Sequence, residues 1–204
     1  MKKLICLILL TSLIGISYYI YTTTQEVEAP FVSHPIITFH LSDHTAFKIV
    51  LYPEEAPNTV CNFIDLSSCG FYKNLGFSKI LPHYFIQTGD TIGNGTGFPG
   101  YFIKSECKAN GVDNDLKCEM GTVCMARGEK YNTEGSQFFI LLRDAPELDG
   151  KYTAFGKVVS GLEHLMTLEA ENTVTIEDIE VQTFDIVYDE PQVLSMVMVR
   201  DVLK

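Results

Sequence analysis

The stretch that decides the fold is Gly135-Ser136-Gln137-Phe138-Phe139-Ile140, and it is followed closely by Leu148-Asp149-Gly150-Lys151-Tyr152-Thr153-Ala154-Phe155. These runs combine aromatic and β-branched residues, which favour strands, with glycine and aspartate, which favour turns. We therefore predict two strands here, over residues 136–142 and 153–159, separated by a turn-rich connection.

The residues on either side of this stretch also indicate β structure. Residues 36–41 and 46–52 predict a hairpin around the polar turn 42–44. Between residues 71 and 128 the apolar residues come in short runs broken by glycine, asparagine and proline. This spacing favours an antiparallel barrel over alternating strands and helices. Further along, the alternation over residues 176–187 predicts one or two closing strands.

Two helices are predicted within this β-rich chain. The first covers residues 58–66, with Pro57 suited to its first turn and Gly70 to its exit. The second covers residues 161–168, where apolar residues recur in an order compatible with a helix.

The size and charge of the chain restrict its function. A chain of 204 residues is long enough for one domain with appendages. Its net charge is −11 and its acidic residues are scattered, so polyanions are repelled and nucleic-acid binding is not expected. No CxxC pair or Cys/His cluster has the spacing of a zinc site, and neither a metal nor a cofactor is predicted.

The N-terminus predicts a membrane-targeting segment. Lys2 and Lys3 precede an uncharged run from Leu4 to Tyr21, whose 18 residues just reach the length that spans a bilayer. The segment is either an uncleaved signal anchor of a single-pass membrane protein or the cleaved signal peptide of a secreted or luminal one. Both alternatives place the folded part on the non-cytoplasmic side, and the first makes the membrane a partner.

Four parts are predicted along the chain. Residues 1–21 form the targeting segment, 22–34 a polar linker, 35–190 the folded domain and 191–204 a C-terminal tail. The tail is apolar over 193–199. This is compatible with a third function, that of a structural membrane protein whose tail binds a neighbouring protein.

The cysteines leave two interpretations open. Cys107 and Cys118 flank a short loop rich in glycine, asparagine and aspartate, so a disulfide between them is compatible with an oxidising compartment. Cys61 and Cys124 fall inside apolar patterns, where a cysteine acts as a small buried hydrophobic residue.

Several ordered blocks resemble the cyclophilins, the peptidyl-prolyl cis/trans isomerases. The blocks are Tyr52-Pro53-Glu54-Glu55-Ala56-Pro57-Asn58-Thr59-Val60, Phe77-Ser78-Lys79-Ile80-Leu81-Pro82-His83-Tyr84-Phe85-Ile86-Gln87-Thr88-Gly89-Asp90, Asn94-Gly95-Thr96-Gly97, Gly121-Thr122-Val123-Cys124-Met125-Ala126-Arg127 and the opening stretch. The resemblance covers residues 36–188. It implies a closed eight-stranded antiparallel β-barrel capped by two α-helices. It also implies a monomeric isomerase that acts on proline-containing segments of client proteins without a cofactor.

The resemblance also implies a set of site residues. The catalytic positions match Lys79, Tyr84 and Gln87, and the substrate-binding positions match Phe85, Gly95, Ala126, Arg127, Gln137, Phe139, Leu148 and Tyr152. In the family, the aromatic and aliphatic members enclose the proline ring, while the glutamines hydrogen-bond the substrate backbone and orient the key basic residue. The main chain at Ala126 and Arg127 pairs with the peptide, and Gly95 lines the neighbouring pocket.

Among the positions that depart from the family pattern, three bear on activity or on cyclosporin binding. Lys79 replaces the arginine that donates to the prolyl nitrogen, so the charge is kept and the planar guanidinium is lost. Glu147 replaces the tryptophan associated with cyclosporin sensitivity, and Tyr152 replaces a histidine, so tight cyclosporin binding is not expected. Two functions follow: an isomerase with reduced activity, or a weakly active or inactive module that binds proline-containing segments.

Overall fold

The computed structural model describes residues 33–171 and 173–194. The predicted targeting segment, nearly all of the predicted linker and the end of the tail therefore lie outside the described residues. Within the described ranges, no helix is both long and apolar enough to cross a membrane.

The described chain contains eight strands and two α-helices. In chain order they are β1 (Ile36–Leu41), β2 (Ala46–Leu51), α1 (Pro57–Ser68), β3 (Lys79–Leu81), β4 (Phe85–Thr88), β5 (Thr122–Met125), β6 (Phe138–Leu141), β7 (Ala154–Ser160), α2 (Leu162–Leu165) and β8 (Ile176–Gln182). The strands form one antiparallel sheet in the order β3-β4-β6-β5-β7-β2-β1-β8. The predicted mainly β architecture with eight antiparallel strands and two helices is confirmed.

The two ends of this sheet meet only locally. Gly76, before β3, forms an isolated bridge with Thr175, before β8. The Asn74 N–H donates to the Ile176 carbonyl at 2.7 Å, and the Ile176 N–H donates to the Leu75 carbonyl at 2.9 Å. No ladder of hydrogen bonds joins β3 to β8 in the part of the chain that is described. The sheet is therefore a half-barrel with its edges linked at one point, and a fully closed barrel is not confirmed.

Side chains on β6 divide between the core and the opposite face of the sheet. Phe138 is fully buried, and its ring packs edge-on against Phe63 of α1 with the centroids 5.0 Å apart. The same core cluster includes Phe39, Tyr72 and Phe155. The next residue, Phe139, belongs to a separate apolar cluster on the other face, because successive side chains of a strand point to opposite faces.

Helix α1 is capped from a distant part of the chain. Its N-cap residue, Ala56, has no side-chain acceptor for the free N–H groups of the first turn. The buried carboxylate of Glu106 accepts hydrogen bonds from the N–H groups of Asn58 at 3.2 Å and Thr59 at 2.7 Å. The Thr59 hydroxyl also donates to it at 2.7 Å. A negative group at this end of the helix also complements the helix dipole.

The second predicted helix is much shorter than the sequence indicates. Helix α2 covers only Leu162–Leu165, although Leu168 is also buried in the core. Gly161 starts it with φ 85°, and a Cβ atom there would lie 2.3 Å from the Ala46 carbonyl oxygen. The close approach of the β2 backbone thus fixes where this helix begins. The predicted closing segment over 176–187 forms one strand, β8, because Phe184 has positive φ in a turn just beyond it.

The suggested Cys107–Cys118 disulfide is not present in the structure. Cys107 and Cys118 are both buried with free thiols. The Cys118 thiol instead shares a hydrogen bond with that of Cys124, which together with burial raises the pKa of Cys124 well above its usual value. The sequence expectation of burial is confirmed for Cys124, whereas Cys61 is only partly buried because it lies at the edge of the buried face of α1.

The remote cap on α1 leads to a stability prediction. Substitution Glu106→Gln removes the negative charge and one acceptor oxygen from the first turn of α1. We expect it to lower the free energy of unfolding by about 1–3 kcal/mol, measured by urea denaturation of the purified protein. Glu177→Gln, on the exposed surface of β8, is the matched control and should change it by no more than about 0.5 kcal/mol. Equal losses in the two variants would contradict the capping role.

Candidate active site

The register of the sheet brings three predicted site residues into one row. Lys79 on β3 pairs with Gln87 on β4, and Gln87 pairs with Phe139 on β6. Directly paired residues on neighbouring strands project to the same face, so a basic, an amide and an aromatic side chain lie side by side. This row is the centre of the candidate site.

A hydrogen-bonded amide pair links the row to a neighbouring loop. Gln87 Nε2 donates to Gln137 Oε1 at 2.7 Å. Gln137 Nε2 in turn donates to the carbonyls of Gly95 at 3.1 Å and Gly97 at 2.8 Å. The side-chain position of Gln87 is therefore fixed through Gln137 by the backbone of the glycine-rich loop.

An aromatic pocket occupies one side of the row. Phe139 is almost fully buried, and its ring centroid lies 5.4 Å from both Phe85 and Tyr152. The predicted site residues in this pocket are Tyr84, Phe85, Phe139, Leu148 and Tyr152. Cys118 and Cys124 lie in the same cluster. This cluster, the aromatic pocket, is apolar, and Tyr84, Phe85, Leu148 and Tyr152 at its rim are partly exposed.

A cavity of about 710 Å³ lies on the other side of the row. The remaining six predicted site residues line it: Lys79, Gln87, Gly95, Ala126, Arg127 and Gln137. The structure thus divides the predicted site between the aromatic pocket and a polar cavity, and Ala126 belongs to both. Each predicted site residue lies in at least one of these two parts.

Lys79 is exposed and points over the aromatic pocket. Its Nζ lies 5.3 Å from the centroid of the Phe85 ring, close enough for a cation–π contact. Among the described residues, no carboxylate lies within ion-pair distance of Lys79. The charge of Lys79 is therefore available to a bound molecule.

The rim of the aromatic pocket carries an ion pair that the sequence prediction missed. The Arg143 guanidinium lies 4.3 Å from the centroid of the Tyr84 ring and donates to Glu147 at 2.7 Å. The Tyr84 hydroxyl also donates to Glu147, at 3.3 Å. Hydrogen bonds from its own backbone N–H and from Arg143 keep the pKa of Glu147 below its usual value. The four-residue spacing of Arg143 and Glu147 was the only available sequence signal.

Arg127 contributes a side chain, where the sequence predicted only a backbone role. Its guanidinium carbon lies 4.4 Å from the ring centroid of Tyr131 and 4.8 Å from that of Tyr152. Its terminal nitrogens donate to three carbonyls, those of Gly128, Glu129 and Lys151. Its Nε is buried and forms no hydrogen bond within the described residues. The second tyrosine, Tyr131, was also missed.

A buried carboxyl group lies beneath this part of the site. Glu134 is completely buried, and the Thr153 hydroxyl lies 2.9 Å from each of its carboxyl oxygens. Burial raises the pKa of Glu134 to about 8, against 4.5 for a free glutamate, although Thr153, Ser105 and Arg127 act in the opposite direction. Glu134 is therefore mostly protonated at neutral pH. Nothing in its sequence context marked it as buried.

Comparisons with known proteins identify the class of protein to which this fold and site belong. The model of the family described as "Cyclophilin type peptidyl-prolyl cis-trans isomerase/CLD" matches residues 36–188, which is most of the chain. The chain therefore belongs to the cyclophilin-type peptidyl-prolyl cis-trans isomerase family. This confirms the predicted resemblance and the predicted enzyme class.

Individual relatives agree with this assignment. Peptidyl-prolyl cis-trans isomerase B of Bacillus subtilis is 46% identical over 125 residues, covering 61% of this chain and 84% of that protein. Peptidyl-prolyl cis-trans isomerase-like 1 of Emericella nidulans is 41% identical over 117 residues, covering 57% and 71%. A crystal structure of a Cryptosporidium parvum cyclophilin-type isomerase aligns with a TM-score of 0.65 and 30% identity, covering 73% and 98%. A second structure of that protein was obtained in the presence of the dipeptide Ala-Pro.

The buried carboxyl group predicts a specific pH dependence of stability. Because the folded pKa of Glu134 lies above the unfolded value, its contribution is fully present below about pH 4.5 and is lost as the pH rises through about 8. Substitution Glu134→Gln removes this titration. We expect the stability of the wild type, measured relative to this variant by urea unfolding, to fall between about pH 5 and pH 9. Parallel stability profiles of the wild type and Glu134→Gln would contradict this prediction. The control is Glu129→Gln, a change at an exposed glutamate, which should leave the pH profile of the wild type unchanged.

Proposed function

We propose that this protein accelerates cis/trans isomerisation of X-Pro bonds in client proteins and so assists their folding. The observation that carries the proposal is the row of Lys79, Gln87 and Phe139 on one face of the sheet, between the aromatic pocket and the polar cavity. The site requires no nucleophile, because rotation about the amide breaks no bond. It must only lower a barrier of about 18–20 kcal/mol.

The proposed mechanism is non-covalent stabilisation of the twisted amide. As the amide twists, its resonance is lost and the prolyl nitrogen becomes able to accept a hydrogen bond. A donor that contacts this nitrogen acts only in the transition state, which raises the rate without tightening substrate binding. We assign this donor to Lys79 Nζ, which lies over the edge of the aromatic pocket.

The other groups hold the substrate in place. We assign the proline ring to the pocket of Phe85, Phe139, Leu148 and Tyr152, where an apolar ring replaces water. The Gln87 side chain is oriented by its hydrogen bond to Gln137, and we assign it to hydrogen-bond the substrate backbone. Fixing the residues on one side of the amide allows the other side to rotate. Tyr84 lies at the rim of the pocket, where its hydroxyl donates to Glu147. The charged Glu147 stands where the family has a tryptophan, so tight cyclosporin binding is not expected.

We expect the isomerase to be slow, because Lys79 stands in place of an arginine. A lysine presents a point charge on a flexible stem, whereas an arginine presents a planar fork of donors. The Lys79 ammonium has no described carboxylate partner to fix its position. A loss of about 1–3 kcal/mol in transition-state stabilisation would slow the reaction about 10- to 100-fold. The same observation favours the second candidate, a module that binds proline-containing segments with little or no turnover.

An isomerase assay separates the two candidates. We expect the purified protein to accelerate isomerisation of an Ala-Pro peptide, measured by NMR exchange spectroscopy. Lys79→Arg should raise kcat/KM by about 10-fold or more, because it restores the bidentate donor. Lys48→Arg, an equivalent change on the outer surface of β2, should leave it unchanged. Peptide binding without acceleration, in both the wild type and Lys79→Arg, would support the binding module and contradict the enzymatic proposal.

We also propose that residues 1–21 place the domain on the non-cytoplasmic side of a membrane. The support is the sequence of this segment, in which two lysines precede an uncharged apolar run. If residues 1–21 are kept as an anchor, we expect the chain to fractionate with membranes and to resist extraction at high pH; if they are cleaved, we expect a soluble product on the non-cytoplasmic side. N-terminal sequencing of the mature protein then distinguishes an anchor, with its N-terminus intact, from a cleaved signal peptide. Recovery of the intact chain from the cytoplasm would contradict both forms of the proposal.

A further inference from the structure

The polar cavity carries a charge opposite to that of the whole protein. The chain has 26 acidic and 15 basic residues, with a net charge of −11. The charged residues that line the cavity are Lys79 and Arg127, and no aspartate or glutamate lines it. The cavity therefore has a positive local charge within an acidic protein, which attracts anionic groups.

Neither cation is neutralised by a neighbouring carboxylate. Within residues 33–171 and 173–194, Lys79 and Arg127 take part in no ion pair. The nearby carboxylate of Asp90 is buried and accepts hydrogen bonds from the N–H groups of Ile92 at 3.0 Å and Gly97 at 2.8 Å. The buried Glu134 interacts electrostatically with Arg127, but burial raises the pKa of Glu134 to about 8 and keeps it mostly uncharged at neutral pH.

The Arg127 charge is also held in a fixed position. Tyr131 and Tyr152 flank its guanidinium, and three backbone carbonyls accept from its terminal nitrogens. A charge that is already ordered loses little conformational entropy when it binds a ligand. Because these acceptors are neutral carbonyls, they do not offset the positive charge of the guanidinium.

Arg127 connects the cavity to the proline pocket. It contacts Tyr152 at 4.8 Å, and Tyr152 belongs to the aromatic pocket. An extended peptide advances about 3.3 Å per residue. A peptide whose proline occupies the aromatic pocket therefore places a side chain from within about three residues of that proline in the cavity.

We propose that the cavity binds a carboxylate side chain of the substrate and that Arg127 is the specificity-determining residue for client segments in which aspartate or glutamate lies near the proline. This inference rests on the proposed function and names its substrate class. Lys79 contributes to the same positive charge at the junction with the proline pocket. The protein thus selects acidic X-Pro segments although its own net charge is negative.

A matched set of peptides tests the selection directly. One parent peptide contains a single Ala-Pro bond, with glutamine two residues before and two residues after the proline. Each glutamine is replaced separately by glutamate or lysine, and the dissociation constant and kcat/KM are measured for every peptide with the full-length protein. At one of the two positions we expect glutamate to bind about 3- to 10-fold more tightly than glutamine, with lysine weakest. The advantage should fall to less than about 2-fold in about 1 M NaCl.

Protein variants identify the residue responsible. Arg127→Gln should bring the glutamate-to-glutamine binding ratio close to about 1, and Arg127→Lys should retain part of it. Lys48→Gln makes the same change in net charge on the exposed surface of β2 and should leave the ratio unchanged. If Arg127→Gln does not fold, the peptide ratios and their salt dependence in the wild type still decide the question.

The outcomes separate this inference from the proposed function. A wild type that binds and isomerises the glutamine peptide, but shows no preference for glutamate at either position, overturns the inference and leaves the isomerase proposal intact. A glutamate preference that persists in Arg127→Gln overturns the role of Arg127. Binding with the expected ratio but without isomerisation overturns the enzymatic proposal and supports the acidic selectivity. No binding of any peptide overturns both.

Discussion

The alternation of side chains along β6 is the constraint on which both the core and the groove depend. Phe138 packs fully buried against α1, while its neighbour Phe139 lies in the aromatic pocket on the opposite face. A strand cannot slip by one residue without exchanging these two rings. The packing of Phe138 in the core therefore also fixes the position of the aromatic pocket.

The remaining parts of the site follow from this fixed strand. Pairing across β4 and β3 sets Gln87 and Lys79 beside Phe139, and Gln137, just before β6, ties the glycine-rich loop to the same row. The site is thus built largely on paired strands, which hold side chains more firmly than free loops do. The two charged residues that line the polar cavity differ in how they are held: Lys79, the proposed donor, has a flexible stem, whereas the guanidinium of Arg127 is fixed by stacking and hydrogen bonds.

The sequence predicts the local parts of this structure well and the long-range parts poorly. The hairpin of β1 and β2 and the extent of α1 follow from short periodic runs and from Pro57, so their positions were predicted closely. The start of α2 is fixed by the close approach of Gly161 to the Ala46 backbone, which no local pattern reports, and its end at Leu165 was not predicted. Eleven site residues were predicted through the family resemblance; six of them line the polar cavity and the other five lie in the aromatic pocket. The cap from Glu106, the buried Glu134 and the stack of Arg143 on Tyr84 join distant segments, so periodicity carried no signal for them.

The most direct test is a crystal structure of the protein with a bound peptide containing Ala-Pro. The proline ring should contact Phe139 within the aromatic pocket, the substrate backbone should lie against Gln87, and Lys79 Nζ should face the prolyl nitrogen. A proline bound outside this pocket would contradict the assignment of the groove. A proline bound in the pocket with Lys79 directed into solvent would contradict its role as the transition-state donor.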